Sequence, residues 1–66
     1  MSSSDASPRN PTPDEIREFR RARGLSARAA GELVYVNGRA WQKWEAGANA
    51  MHPAFYELAR LKAPMR

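Results

Sequence analysis

The chain has no cysteine and a single histidine. The first absence excludes a disulfide framework, a thiolate zinc site and a cysteine nucleophile. The second leaves little for catalysis, and no carboxylate, histidine and serine cluster resembles a reactive site, so the sequence reads as a binder and not an enzyme. No run approaches the ~18 apolar residues of a membrane span. The first residues lack the ~7–15-residue apolar core of a secretory signal. These absences fit a reducing cytoplasm. A 66-residue chain is too short for two domains and lies near the lower limit of independent folding. Without covalent staples it must rely on close helix packing, on a partner, or on both.

What is present is positive charge. Eleven Lys and Arg stand against seven Asp and Glu, for a net charge of +4 and a pI of about 10.4. On so small a surface that excess attracts polyanions, nucleic acid before anionic membrane. Residues 1–12 are rich in Ser, Pro and Asn, with Met1 and Ala6 as the only apolar side chains. Such a segment buries too little to offset its ordering entropy and reads as a disordered tail. Asp5 and Arg9 cancel within it, so the excess belongs to residues 13–66. Arg9 as an arm reaching a minor groove is the sharper alternative to a solvated tail residue.

Helix punctuation is clear over 13–63. Thr12-Pro13-Asp14-Glu15 combines a capping box with proline at the first helical position. The inward face of this first helix is expected at Ile16, Phe19 and Ala22, and Gly24 closes it. Ser26 caps a second helix to about Val34, with Ala29, Ala30, Leu33 and Val34 as its apolar stripe. Asn37 caps a third, Gly38 to about Ala46, closed by Gly47. Pro53 opens a fourth with Phe55, Leu58 and Leu61 at i, i+3, i+6, and Pro64 ends it. No strand signal or repeat occurs. The expected fold class is all-α, a compact domain of four to five short helices.

Only about three residues join the second and third helices. A joint that short makes them cross steeply, so that the third presents one polar face outward. Such a face fits the B-DNA major groove, ~12 Å wide. Arg39 and Lys43 lie four apart on that face and can donate to guanine O6 and N7. Gln42 can donate and accept, and Gly38 and Ala40 keep the leading edge slim. Trp41 and Trp44 could stack bases as in single-strand binders, but their helical spacing is that of a core. His52, just before Pro53, reads as a helix-start residue and not a metal ligand. Met51, Phe55 and Tyr56 suit either the core or a partner surface.

Gly24, Leu25, Ser26, Leu33, Val36, Asn37, Trp41, Trp44, Glu45 and Gly47, in register over 24 residues, resemble the helix-turn-helix of Cro/C1-type repressors. The ending Trp41–Gly47 followed by Met51–Leu58 is similar to very small phage and plasmid regulators, anti-CRISPR-associated ones among them. The resemblance implies a lambda-repressor-like domain over 13–63. It also implies a sequence-specific repressor of double-stranded DNA, acting as an autoregulating homodimer on a palindromic operator, without cofactor, small-molecule ligand or membrane. It places base-edge contacts at Gly38, Arg39, Ala40 and Lys43, and puts Asn37 and Gln42 at phosphates or flanking bases. A phosphate-gripping Gln at the start of the second helix is replaced by Ala27, with Arg28 beside it as the substitute. Glu45 and Arg20 match a structural carboxylate–arginine pair. Tyr35 departs from a usual glycine, and a left-handed tyrosine would carry strain on the order of 1 kcal/mol or more. Either the turn geometry therefore differs, or Tyr35 adopts a different backbone and its hydroxyl reaches a phosphate. An antitoxin-like or adaptor module on the same fold is the alternative, and RNA binding a third reading.

Overall fold

The computed structural model describes residues 9–63, which form four helices: α1 (Pro13–Ala22), α2 (Ala27–Leu33), α3 (Gly38–Ala46) and α4 (Pro53–Lys62). No strand occurs among the described residues. The fold is all-α. The tail expected over 1–12 lies outside the described residues as far as residue 8. Residues 9–12, by contrast, lie against α1. Arg9 forms a two-pronged ion pair with Glu15 (3.0 and 2.6 Å), and Pro11 is buried. The Arg9 guanidinium and the Thr12 backbone N–H both donate to Glu15 and hold its carboxyl down to about 2. Arg9 is therefore engaged with its own helix.

Each helix starts where a side chain can accept an orphan backbone N–H. Thr12, Ser26, Asn37 and His52 accept from Glu15, Ala29, Ala40 and Ala54 respectively. Glu15 reaches back to the Thr12 N–H at 2.9 Å, which completes the capping box. Gly47 takes φ +79° and turns the chain so that the Ala48 N–H donates to the Lys43 carbonyl at 3.0 Å.

The helices close over Ile16, Phe19, Ala30, Val34, Trp41, Trp44, Met51, Ala59 and Ala63. Trp41 is fully buried and Trp44 nearly so, which settles them as core. Five rings run in series through the body. Tyr56 packs on Phe19 (5.9 Å between centroids), Phe19 on Trp41 (6.3 Å), Trp41 on Trp44 (5.6 Å) and Trp44 on Phe55 (5.4 Å). All four separations lie in the favourable range for tilted and edge-on pairs. The series leaves α4, crosses α1 and α3, and returns to α4. It binds the last helix to the first despite the distance between them in sequence.

Two apolar expectations are corrected. Ala22 is exposed, so α1 turns inward only Ile16 and Phe19. On α4 Tyr56, Leu58 and Ala59 pack on the core, followed by Ala63 at the C-cap, while Leu61 is 78 % exposed and Phe55 sits at the edge. Ala59 is completely buried where α4 packs on the core, and with Ala59 turned inward Leu61, two positions on, faces outward.

The expectation that Tyr35 avoids the left-handed backbone is also corrected: the turn over residues 34–37 passes through Tyr35 at φ +66°, the only described non-glycine residue with positive φ. The left-handed conformation costs a residue with a Cβ about 1–2 kcal/mol. Lys62 partly offsets this, because its Nζ lies 4.1 Å from the Tyr35 ring centroid and donates to the hydroxyl at 2.8 Å. Tyr35→Gly removes the strain but also removes this contact and loosens the unfolded chain. We expect a net change below ~1 kcal/mol. Tyr35→Val keeps the strain, adds a β-branch and loses the contact, and is expected to cost ~1–2 kcal/mol in urea unfolding. Equal midpoints for the two variants would contradict this account.

Candidate nucleic-acid interface

The α2–α3 pair is the most closely packed in the molecule. Two glycines make it so. A Cβ on Gly31 would lie 2.8 Å from the Val36 carbonyl oxygen, and one on Gly38 would lie 3.0 Å from the Cα of Arg28. The first brings the turn down onto α2. The second sets the start of α3 against the start of α2, and so places Arg28 beside the leading edge of α3.

On α3 the two faces separate cleanly. Trp41 and Trp44 point into the core, while Arg39, Gln42 and Lys43 are exposed. At about 100° per residue these three fall within one side of the helix, opposite the tryptophans. Gly38 and Ala40 are half-buried. Gly38 serves the helix crossing, and Ala40 donates its backbone N–H to Asn37 Oδ1 at 2.8 Å. The Asn37 oxygen is thus committed to the cap, and its amide N–H groups remain for an outside acceptor. Arg28 is 86 % exposed and holds only a 3.5 Å i,i+4 pair with Glu32. An exposed pair of that kind is worth a few tenths of a kcal/mol and yields readily to a phosphate.

Beneath this surface lies the Glu45 carboxylate, surrounded by donors. It receives Arg20 through Nε (2.6 Å to Oε2) and Nη2 (3.1 Å to Oε1), and the Trp41 indole N–H at 2.6 Å. Arg17 donates to the Glu45 backbone carbonyl at 3.2 Å, and Arg20 also donates to the Leu25 carbonyl at 3.1 Å. The side chains of Arg20 and Glu45 are only 23 % and 11 % exposed. Burial alone would raise the Glu45 carboxyl. The hydrogen bonds from Arg20 and Trp41, with the charges of Arg20 and Arg17, outweigh burial and hold it below its ordinary value. The hydrogen bond to Glu45 likewise raises Arg20. This network locks α1 across α3 and leaves the Arg39 face unobstructed.

The structure thus places Arg28 beside the start of α3, with Asn37 as its cap and Arg39, Gln42 and Lys43 exposed on it, and Gly38 admits the close crossing with α2. Three features were not read from the sequence: the close approach at Gly31, the Lys62 contact with Tyr35, and the indole bond to Glu45. The last had a local signal, since Trp41 and Glu45 are spaced i, i+4. The other two join segments whose proximity only the fold creates. Among the described residues no group of His, Asp and Glu is placed to hold a metal ion, and no helix is long and apolar enough to cross a membrane.

No family model matches the chain. Among curated proteins, a 50-residue stretch is 34 % identical to the type II methyltransferase M.MspI of Moraxella sp. The stretch covers 76 % of this chain but 12 % of that protein.

Proposed function

We propose that this chain is a sequence-specific double-stranded DNA-binding repressor of the Cro/C1 type, acting as a homodimer on a palindromic operator, at its own promoter in the simplest scheme. The observation that carries the reading is the α3 surface, with Arg39, Gln42 and Lys43 exposed opposite fully packed tryptophans and Arg28 brought alongside by Gly38. A helix held this way can enter a major groove without disturbing the core. Arg39 and Lys43 read base edges, while Arg28, Asn37 and Gln42 meet phosphates and flanking positions. Repression follows from occupying a promoter and excluding polymerase. The chain binds and does not catalyse in this reading. The stretch shared with a far longer methyltransferase suits a portable binding unit better than a reaction centre.

The adaptor reading requires a contiguous exposed apolar patch. Among the described residues the exposed large apolar side chains are Tyr35, Phe55 and Leu61, on the turn and on two different sides of α4, and α3 offers basic groups instead. The burial of Trp41 and Trp44 counts against base stacking on single strands.

The test compares a palindromic duplex, selected from random sequence, with its scrambled counterpart over a range of salt. Equal affinity for both ends the proposal. Arg39→Ala is expected to lose ~1–3 kcal/mol at one base position and relax preference there. Arg28→Ala should weaken every duplex alike and flatten the salt dependence by about one phosphate contact. The reverse pattern would exchange the two roles.

A further inference from the structure

The outer face of α4 carries Glu57, Arg60 and Leu61, spaced i, i+3, i+4, all exposed. Together with Arg23 at the end of α1 they line an open depression of about 280 Å³, to which α3 contributes nothing. Leu61 is 78 % exposed, although it is a large aliphatic side chain. Neither Glu57 nor Arg60 forms an ion pair with any described residue, and Arg60 touches the Tyr56 ring at 5.7 Å. An acid and a base one helical turn apart, flanking an outward leucine, are complementary to themselves. If two copies of α4 meet antiparallel about a two-fold axis, Glu57 of each faces Arg60 of the other, and Leu61 of each enters the other's depression.

We propose that a second copy of this chain seats on this face, through Glu57, Arg60 and Leu61. The inference rests on the DNA-binding dimer reading and supplies its interface. The body measures 37 × 28 × 19 Å along its principal axes. Each α3 need lie only ~17 Å from the axis to match half-sites one helical turn, ~34 Å, apart. An acidic or apolar segment of an unrelated protein would compete for the same groove and would be excluded by the pairing.

The test is sedimentation of the full chain, of Glu57→Arg, of Arg60→Glu, and of an equimolar mixture of the two variants, without DNA. Both substituted positions are exposed, and circular dichroism checks that the variants keep the helical fold. The wild type is expected to dimerise. Each reversal places two pairs of like charges in contact and is expected to weaken association at least tenfold. The mixture then restores it, because the introduced arginine of one variant meets the introduced glutamate of the other, while the native Arg60 and Glu57 still face each other across the axis. A wild-type chain that stays monomeric at millimolar concentration, single variants that associate as the wild type does, or a mixture that stays monomeric would each overturn the interface. Titration of half-site duplexes separates the two ideas. Intact pairing with no preference for the selected sequence sinks the DNA reading alone. Half-site recognition retained by chains that never pair sinks the interface alone.

Discussion

Glu45→Ala is expected to leave the protein largely unfolded at room temperature. The substitution removes the acceptor for two Arg20 bonds and for the Trp41 indole N–H, all between 2.6 and 3.1 Å. Arg20 keeps only the Leu25 carbonyl, and its charge stays in a site where its side chain is 23 % exposed. Removing one partner of a mostly buried pair costs about 3–5 kcal/mol. A single core of this size supplies about as much net stability in total. Glu45→Gln retains an acceptor oxygen and should cost distinctly less. Thermal unfolding followed at the helical band orders the variants as wild type, Gln, Ala. A loss below ~1 kcal/mol for Glu45→Ala would show that the pair contributes little to the fold.

The same carboxylates set an acid limit. Both Glu45 and Glu15 are held below the ordinary value of 4.5, Glu15 at about 2. A depressed carboxyl contributes stability that is fully present above its unfolded value and is lost as protons are forced on. Stability should therefore be flat at neutral pH and fall below about 4.5, the Glu15 share disappearing toward about 2. Glu15 lies at the surface, its side chain 39 % exposed, so high salt should remove most of its part. In Glu45→Gln the remaining acid dependence should be the smaller, salt-sensitive one. An unchanged acid profile in that variant would mean that other groups set the limit.

Much of this was legible because helix boundaries are written locally. Thr12, Ser26 and Asn37 announce their caps, and α3 begins and ends where Asn37 and Gly47 place it. The exposed Arg39, Gln42 and Lys43 followed from counting about 100° per residue away from two tryptophans. Legibility failed on α4, where two apolar stripes compete. Phe55, Leu58 and Leu61 form the more hydrophobic one, yet of these only Leu58 packs on the core, beside Tyr56, Ala59 and Ala63. Hydrophobicity along one helix does not reveal how closely a neighbour must approach, and closeness selects alanine over leucine. Gly38 carries a second role that hydrophobicity does not reveal. Its lack of a side chain, read as slimness at the leading edge of α3, also admits the Arg28 backbone, since a Cβ there would lie 3.0 Å from the Arg28 Cα.

Gly31→Ala reverses the sign that helix propensity assigns it. Gly31 lies inside α2, where exchanging glycine for alanine ordinarily stabilises by about 1 kcal/mol. Here the added Cβ would stand 2.8 Å from the Val36 carbonyl oxygen and 2.9 Å from that of Asn37. Both obstacles are backbone, so no side chain can swing aside. The Asn37 carbonyl also accepts from the Trp41 N–H and begins the α3 ladder, and the Val36 N–H donates to the Gly31 carbonyl at 2.9 Å. Relief of the clash must therefore lift the turn, and with it the helix that carries Trp41 into the core and Arg39 out of it. Overpacking costs about 1–3 kcal/mol and occasionally more. We expect a net loss of ~2 kcal/mol for alanine, and loss of the folded state for Gly31→Val. Glu32→Ala, on the adjacent exposed position, should change stability by less than ~0.5 kcal/mol. Urea unfolding of the three variants decides the matter. If Gly31→Ala stabilised the chain, the turn would have to tolerate a separation from α2 that these contacts forbid. Under the proposed DNA-binding function, a Gly31→Ala chain that still folds should also bind DNA less well than its stability alone accounts for, because the displaced turn sets the angle at which α3 leaves α2.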